Sequence, residues 1–170
     1  MNIRKLTTNA LLLAVGAVLH QISPPLFFGV KPDFSLAMLF IIMIMNEDYQ
    51  TTLICGIIAG VFAALTTALP GGQPANIIDK IITSHIIFFL LKPIRNKLNN
   101  QIKIIAATAI GTIISGSIFL TVVIEFFGFK QPFYGLFVGL VLPTALINTV
   151  VGFILYNALN LALKRSKFAR

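Results

Sequence analysis

The sequence is poor in charge, in acids and in cysteine, and it contains no tryptophan. Charged residues make up 11% of its 170 residues, and five residues are acidic. Soluble domains carry roughly 25% charged residues, so this composition excludes an ordinary soluble protein. Cys55 is the single cysteine, which excludes an intrachain disulfide and leaves the compartment unassigned.

Motifs for nucleotide hydrolysis are also missing. The chain has no G-x-x-x-x-G-K-[ST] loop and no polar segment large enough for an ATPase domain, so it cannot drive transport by itself through ATP. It shows no internal repeat, which argues against inverted-repeat carriers. Ser84 and His85 are neighbours that point roughly 100° apart on a helix, the wrong geometry for a nucleophile and its base. We therefore predict no enzyme, and we expect His85 to form an interhelical hydrogen bond.

Apolar residues account for 57% of the chain and occur in long runs. Turn-forming and polar residues divide these runs into six segments. The pattern predicts an all-α integral membrane protein with a bundle of six transmembrane helices in one membrane domain, residues 1–170. The predicted spans are residues 6–23, 34–45, 52–69, 77–91, 104–127 and 133–163.

Two of these spans are short for a bilayer. A transmembrane helix needs about 20 residues, and apolar runs of 10–14 are more often interfacial or re-entrant. Span 34–45 is shorter than the 20 residues of a full span, and span 77–91 contains Asp79, Lys80 and His85. Neighbouring helices could shield those polar groups. Four full spans plus two partial ones remain the structural alternative.

Basic residues are segregated from the apolar runs. Such patches stay in the cytoplasm, so they predict that both termini lie inside. Because the charges bracket apolar spans, the net charge of +8 indicates contact with a lipid bilayer rather than nucleic acid. Lys31, Lys80 and Lys130 then fall near the outer face. The other ten are Arg4–Lys5, Lys92/Arg95/Lys97/Lys103 and Lys164/Arg165/Lys167/Arg170.

Ionisable groups inside a span usually mark a site or a pathway. Asn76, Asp79, Lys80 and Thr83 follow i, i+3, i+4, i+7 spacing and share one helix face. An acid beside a base there can bind a zwitterion, with Lys80 and free helix N–H groups on its carboxylate and Asp79 on its ammonium. The alternative is that Asp79 only caps the helix while Lys80 extends to the headgroups.

Other polar residues at the outer level are weaker candidates. Glu125 is either a second ammonium partner or a local partner of Lys130. His20 and Gln21 end the first span and either contact a ligand or are solvated. Lys31 lies in the first outer loop.

Aromatic residues also crowd the outer level, and they are nearly all phenylalanine. An interfacial belt usually favours Trp and Tyr, so an aromatic-lined cavity for a planar ligand is the preferred interpretation. The residues are Phe27, Phe28, Phe34, Phe126, Phe127, Phe129, Phe133 and Tyr134.

Two helix faces carry small residues that permit close helix packing. Ala10, Ala14 and Ala17 share a face of the first span. The fifth span has a similar face, and we expect one of the two to pack internally. The fifth-span residues are Thr108, Gly111, Thr112, Ser115 and Gly116.

The stretches NALLLAVGAVLHQISPPLFFG (9–29) and KPDFSLAMLF (31–40) resemble the TrpP-type tryptophan transport proteins. These belong to the substrate-binding S components of energy-coupling factor (ECF) transporters. The resemblance implies a six-helix S-component bundle in the bacterial cytoplasmic membrane. It also implies that ligand binds near the outer face, under the loop between the first two spans.

The resemblance further implies partners and a substrate. An S component works with a transmembrane coupling protein and two ATPases; ATP is used by those partners, and this chain binds no cofactor. Ala10 and Ala14 match the face that contacts the coupling protein. For tryptophan, Gln73 or Asn76 could accept the indole N–H, while Asp79, Lys80, Lys31 and Glu125 supply charges of both signs. The alternative is a stand-alone secondary carrier coupled to an ion gradient through Asp79 and Glu125.

Overall fold

The computed structural model describes residues 3–24, 32–67 and 69–168, without the side chains of Arg4 and of residues 164–168. Within these ranges the chain is helical and contains no strand. The predicted ligand residues Lys31 and Phe28, and also Phe27, lie outside the described residues.

Six helices form the fold, as predicted. The sixth, α6, contains an α-helical turn (Phe133–Leu136), a π-helical turn (Phe137–Val141) and a long helix (Leu142–Phe168). A short 3₁₀ turn follows α4 at Lys92–Ile94. The other five helices are α1 (Ile3–Ile22), α2 (Phe34–Met45), α3 (Tyr49–Thr66), α4 (Gly72–Leu91) and α5 (Asn100–Phe127).

The predicted bounds of α2 are confirmed at both ends, whereas α4 begins five residues before the predicted residue 77, at Gly72. Gly71 precedes it in the left-handed region with φ of 76°, a conformation that glycine adopts without a steric penalty. Pro74 lies in the first helical turn, where an N–H has no partner within the helix, so proline is tolerated. The Gly-Gly-Gln-Pro segment predicted as a loop is therefore partly helix.

The helices alternate in direction, so the bundle has two ends. We call one the cavity end, where α1 finishes at Ile22 and α2 begins at Phe34. We call the other the termini end, where α1 begins and α6 finishes. The described positions in the three basic patches fall at the termini end, whereas Lys80, Lys130 and Glu125 fall in the opposite half. The predicted charge segregation is confirmed as a separation between the two ends.

The short helix α2 is the centre of the core. Leu39 to Met43 have no exposed surface, so the helix is covered by its neighbours. Its twelve residues rise about 18 Å, less than a bilayer core of about 30 Å. This length fits the alternative in which α2 is a partial span, and its position in the membrane stays a prediction. Three helices of the described chain are long and apolar enough to cross a membrane, namely α3, α5 and α6.

Close packing of α3 on α4 depends on glycine. A Cβ atom on Gly60 would lie 3.1 Å from the Cα atom of Ile77 and 3.3 Å from the Cβ atom of Lys80. Gly56, one helical turn earlier, abuts the side chain of Ser84 in the same way. This Gly-x-x-x-Gly spacing lets the two backbones approach closely and fixes the rotation of α4.

The two predicted small-residue faces have different environments. On α5, a Cβ atom on Gly111 would overlap the ring of Phe40 of α2, so that face packs internally. On α1, Ala10 and Ala14 are exposed and Ala17 is half-buried. The expectation that one of the faces is internal is confirmed for α5.

Candidate functional site

A cavity at the cavity end is lined by residues from all six helices. The charged side chains and the histidine of the lining come from α1, the start of α2 and α4. The apolar part of the lining includes Leu140 and Val141 from the π-helical turn of α6. Such turns are frequent at functional sites. The residues that line it are His20, Asp33, Leu36, Thr66, Thr67, Leu69, Asn76, Asp79, Lys80, Thr112, Ser115, Gly116, Phe119, Leu140, Val141 and Thr144.

Lys80 is the central charged group of this wall. It is 1% exposed, and its Nζ atom lies 2.7 Å from Asp33 Oδ2 and 2.5 Å from Asp79 Oδ2. The Oγ atom of Ser115 is a further contact at 3.5 Å. A buried ammonium is stable only when it is paired and hydrogen-bonded, and here two carboxylates provide that pairing. The alternative in which Lys80 extends to the headgroups is wrong.

Asp79 lies in the helix interior and does not cap α4. Its side chain is 1% exposed; Oδ2 accepts from Lys80, and Oδ1 accepts from the hydroxyl of Thr83 at 3.0 Å. The helix begins at Gly72, so Asp79 is about two turns from the free N–H groups of the first turn. Both the capping role and the use of those N–H groups beside Lys80 are wrong. The shared buried face of Asn76, Asp79, Lys80 and Thr83 is confirmed.

Asp33 is the charged residue of the cavity wall that the sequence analysis did not select as a ligand candidate. It caps α2, because Oδ1 accepts from the backbone N–H of Leu36 at 3.1 Å and from the hydroxyl of Ser35 at 2.5 Å. Its other oxygen pairs with Lys80. Burial disfavours the carboxylate, but the Lys80 ammonium outweighs this effect and holds the pKa of Asp33 below its usual range.

The local sequence signal at Asp33 was only that of a helix cap. An acidic residue directly before an apolar run is a common N-cap, and capping explains it without a ligand. The pairing with Lys80 joins the start of α2 to the middle of α4, and no local pattern contains that contact. Tertiary packing alone reveals Asp33 as part of the site.

His20 and Asn76 also line the cavity, as the sequence analysis proposed for them as candidates. The Nδ1 atom of His20 lies 3.0 Å from the carbonyl oxygen of Pro32 and 3.8 Å from Asp33 Oδ1. The amide nitrogen of Asn76 donates to the carbonyl of Gly72 at 2.8 Å. Contact of either residue with a ligand stays a prediction.

Four other predicted residues do not line the cavity. Gln73, Glu125 and Gln21 are exposed, and Tyr134 is 78% exposed. None of the ion pairs that join described residues involves Glu125, so its predicted pairing with Lys130 is not formed. Proximity in sequence to the cavity end is therefore not sufficient to place a side chain in the site.

The expectation of an aromatic-lined cavity is wrong for the described residues. Phe119 lines the cavity, whereas Phe126 and Phe127 are 77% and 49% exposed. Aliphatic and hydroxyl side chains form most of the remaining wall. The cavity has a volume of about 90 Å³ and opens to the outside of the bundle.

The termini end is organised differently. His85 accepts or donates a hydrogen bond with the hydroxyl of Tyr49 at 2.8 Å, which confirms the predicted contact between helices. Arg95 donates to the carbonyl of Glu47, and Lys103 donates to the carbonyl of Arg95. Backbone carbonyls, rather than carboxylates, are the partners of these cations.

A second feature of the termini end is a groove between α1 and α3 of about 430 Å³. Ala10 lies on its edge, together with Lys5 and Asp48. A buried hydrogen bond between Asn46 Nδ2 and Asn9 Oδ1, 3.0 Å long, fixes α1 against the end of α2 beside this groove. The predicted docking face of α1 is thus held rigidly and remains accessible.

Comparisons with known proteins agree with these features. A family model described as "Tryptophan transporter TrpP" matches residues 2–164. A "Probable tryptophan transport protein" of Clostridium acetobutylicum is 49% identical over 164 residues, which cover 96% of both chains. Proteins described in the same words are 38% identical in Clostridium perfringens, with 97% and 96% coverage, and 39% identical in Bacillus subtilis, with 99% and 97% coverage. No solved structure matches the chain.

Proposed function

The chain belongs to the TrpP family of tryptophan transporters, and from this premise we propose that it is the substrate-binding S component of an ATP-driven ECF importer. In this role it captures tryptophan in the cavity and delivers it inward. A coupling protein and two ATPase subunits supply the energy, and this chain binds no cofactor of its own.

One observation carries the substrate assignment beyond family membership. The cavity presents a buried lysine between two buried carboxylates, Asp33 and Asp79. Isolated charges in a low-dielectric interior are costly, and ionisable groups within membrane proteins commonly mark a substrate site. A wall that offers both charge signs within hydrogen-bond distance suits the ammonium and carboxylate groups of an amino acid.

The indole part of tryptophan needs an apolar surface and an acceptor for its N–H group. Phe119 and the aliphatic residues of α6 supply the surface. Asn76 supplies the acceptor, because it lines the cavity and its amide nitrogen is engaged by Gly72, which leaves the amide oxygen as the group that it can offer. Gln73, the other predicted acceptor, is exposed outside the cavity and does not take this role.

The energy source follows from the chain's small size and its exposed α1 face. The sequence has no nucleotide-binding loop, so ATP hydrolysis belongs to partner subunits. Ala10 and Ala14 are small and exposed on α1, which allows a helix of the coupling protein to pack closely against them. Basic residues collect at the termini end, so this end faces the cytoplasm of a bacterial cell and the cavity opens outward.

Reconstitution tests this function and separates it from the alternative. Purified protein should bind tryptophan saturably, and uptake into liposomes should require the coupling protein, both ATPases and ATP. Uptake by this chain alone under an ion gradient would instead establish the secondary carrier. The structure offers that carrier little support, because Glu125 is exposed and does not share the cavity with Asp79.

A further inference from the structure

We propose that Asp33 binds the ammonium group of the substrate, and that the substrate enters by inserting its two charged groups between Asp33 and Lys80. The inference deepens the proposed function and rests on it. It replaces Asp79, the ammonium partner predicted from sequence, with a residue at the start of α2. Asp79 then becomes a positioning residue that holds Lys80.

The hydrogen-bond partners of the two carboxylates distinguish their roles. Both oxygens of Asp79 are engaged inside the bundle, one by Thr83 and one by Lys80, and its side chain is 1% exposed. Asp33 uses Oδ1 to cap α2, and its Oδ2 atom contacts Lys80. The side chain of Asp33 is 15% exposed, so it is the more accessible of the two carboxylates. An incoming ammonium can reach Asp33 Oδ2 without disturbing the bonds of Asp79.

Charge alternation gives the order of groups in the occupied site. In the structure the charges follow the order Asp33 negative, Lys80 positive, Asp79 negative. A zwitterion inserted between Asp33 and Lys80 extends this chain, with its carboxylate on Lys80 and its ammonium on Asp33. Every neighbour then has the opposite sign, and the three donors of the Lys80 ammonium remain satisfied. Asp33 thus holds the position on Lys80 that the substrate carboxylate takes.

Insertion has a mechanical consequence. The distance between Lys80 Nζ and Asp33 Oδ2 is 2.7 Å. With the head group of an amino acid inserted by two charge-assisted hydrogen bonds, the same two atoms must lie roughly 6–8 Å apart. Asp33 is the N-cap of α2, and the neighbouring Pro32 carbonyl contacts His20 of α1. Binding therefore moves the start of α2 away from α4.

Three ligands that share the indole ring separate the charged contacts. Tryptophan has both charged groups, tryptamine has only the ammonium, and indole-3-propionate has only the carboxylate. Their equilibrium binding to purified protein should be measured for the wild type and for Asp33→Asn. Asparagine is a good N-cap, so this variant keeps the start of α2 while removing the charge. Lys80 and Asp79 remain as a balanced pair, which preserves folding.

The three ligands should respond differently to Asp33→Asn. Tryptamine should lose roughly 10- to 100-fold in affinity, because its ionic hydrogen bond disappears. Indole-3-propionate should bind as tightly or more tightly, because its carboxylate no longer displaces Asp33 from Lys80. Tryptophan combines both effects and should fall between them. The ratio of the tryptamine affinity to the indole-3-propionate affinity should therefore fall by at least roughly 10-fold.

Asp48→Asn is the matched control. Asp48 caps α3 as Asp33 caps α2, with Oδ1 accepting from Thr51 N at 2.7 Å, but it lies at the termini end. Its substitution should leave all three affinities unchanged. Asp33→Ser provides a second variant, since serine also caps helices and carries no charge.

Distinct outcomes overturn the two proposals. If the wild type does not bind tryptophan saturably, the proposed function fails. If Asp33→Asn and Asp33→Ser change all three affinities by the same factor, or weaken indole-3-propionate as much as tryptophan, the role of Asp33 fails. A selective loss of tryptamine binding in Asp79→Asn, with Asp33→Asn unaffected, would return the ammonium site to Asp79.

Discussion

Asp33 and Asp48 are two aspartates with the same local role and opposite surroundings. Each precedes a helix and accepts the backbone N–H three residues later, at Leu36 and at Thr51. Asp33 lies at the cavity end and pairs with buried Lys80, whereas Asp48 is exposed at the termini end. The starts of α2 and α3 therefore show the same capping chemistry, once within a candidate ligand site and once on a surface.

The same contrast applies to two lysines. Lys80 is buried between carboxylates at the cavity end, and Lys103 is buried at the termini end with a backbone carbonyl as its partner. A carboxylate partner is a formal charge that a substrate can exchange, whereas a helix-end carbonyl is a fixed part of the fold. The comparison indicates that the type of partner, more than burial, distinguishes a ligand-binding charge from a structural one.

The largest expected effect comes from removing the central cation. Lys80→Met leaves Asp33 and Asp79 buried without a counterion, which should cost about 3–5 kcal/mol of unfolding free energy. Tryptophan binding should also be lost, because the carboxylate of the substrate loses its partner. Thermal unfolding in detergent and equilibrium binding measure the two effects.

Lys103→Met is the matched control for that variant. It removes a hydrogen bond to the carbonyl of Arg95 and should cost about 1–2 kcal/mol, with tryptophan affinity unchanged. Equal destabilisation by the two substitutions, with binding intact in both, would contradict the distinction between the two ends.

The next effect concerns transport rather than binding. The double variant Ala10→Leu/Ala14→Leu adds bulk to the exposed face of α1, which should prevent close packing with the coupling protein. ATP-dependent uptake and co-purification of the partner should be abolished, while tryptophan affinity stays the same. Leu11→Phe changes an exposed residue that lies about 100° around the helix from Ala10, and it serves as the control. Uptake at the wild-type rate in the double variant would exclude this docking face.

A smaller effect is expected for the indole acceptor. Asn76→Leu removes the amide oxygen from the cavity wall and should lower tryptophan affinity by roughly 5- to 30-fold, the value of one hydrogen bond in a buried site. Gln73→Leu, one turn earlier and exposed, should have no effect on affinity. Isothermal titration calorimetry of both variants measures these affinities. A greater loss of tryptophan affinity in Gln73→Leu than in Asn76→Leu would assign the indole acceptor to Gln73.

The smallest expected effect concerns Asp48, the cap of α3, whose role we expect to be structural in contrast to that of Asp33. Asp48→Ala should cost about 1 kcal/mol of stability and leave binding unchanged. The backbone N–H of Thr51 lowers the pKa of the Asp48 carboxyl, so its contribution is present above the unfolded pKa of about 4 and is lost as the pH falls through the lower folded pKa. Unfolding curves from pH 7 to pH 3 should converge for Asp48→Ala and the wild type. Curves that stay parallel would show that the carboxylate charge does not stabilise α3.

Local patterns predicted the helices better than the site. Apolar runs and their polar breaks placed six helices, and the ends of α2 were predicted correctly because Asp33 and Asn46 interrupt the pattern sharply. The start of α4 was missed because Pro74 was taken as a loop residue, although the first turn of a helix accepts proline. The face of α4 was predicted from i, i+3, i+4 spacing, since helical geometry alone decides it.

The candidate site was predicted only in part, for a physical reason. Asp79, Lys80, Asn76 and His20 line the cavity, but Gln73, Glu125 and Tyr134, which belong to the same half of the bundle, are exposed outside it. The axial level of a residue follows from its position along a helix. Which neighbour it faces depends on how the helices rotate and pack, which a single segment does not contain.

The sequence by itself determined the class of protein, the number of helices, the segregation of basic charge to one end and the buried face of α4. These properties follow from hydropathy, helical periodicity and the cost of placing charge in a bilayer. Tertiary structure alone decided that α2 is the buried centre, that the α5 face packs inside while the α1 face stays exposed, and that Asp33 joins Asp79 on Lys80. Those outcomes depend on contacts between distant segments, above all the close packing of α3 on α4 at Gly56 and Gly60, which fixes the direction in which Lys80 points.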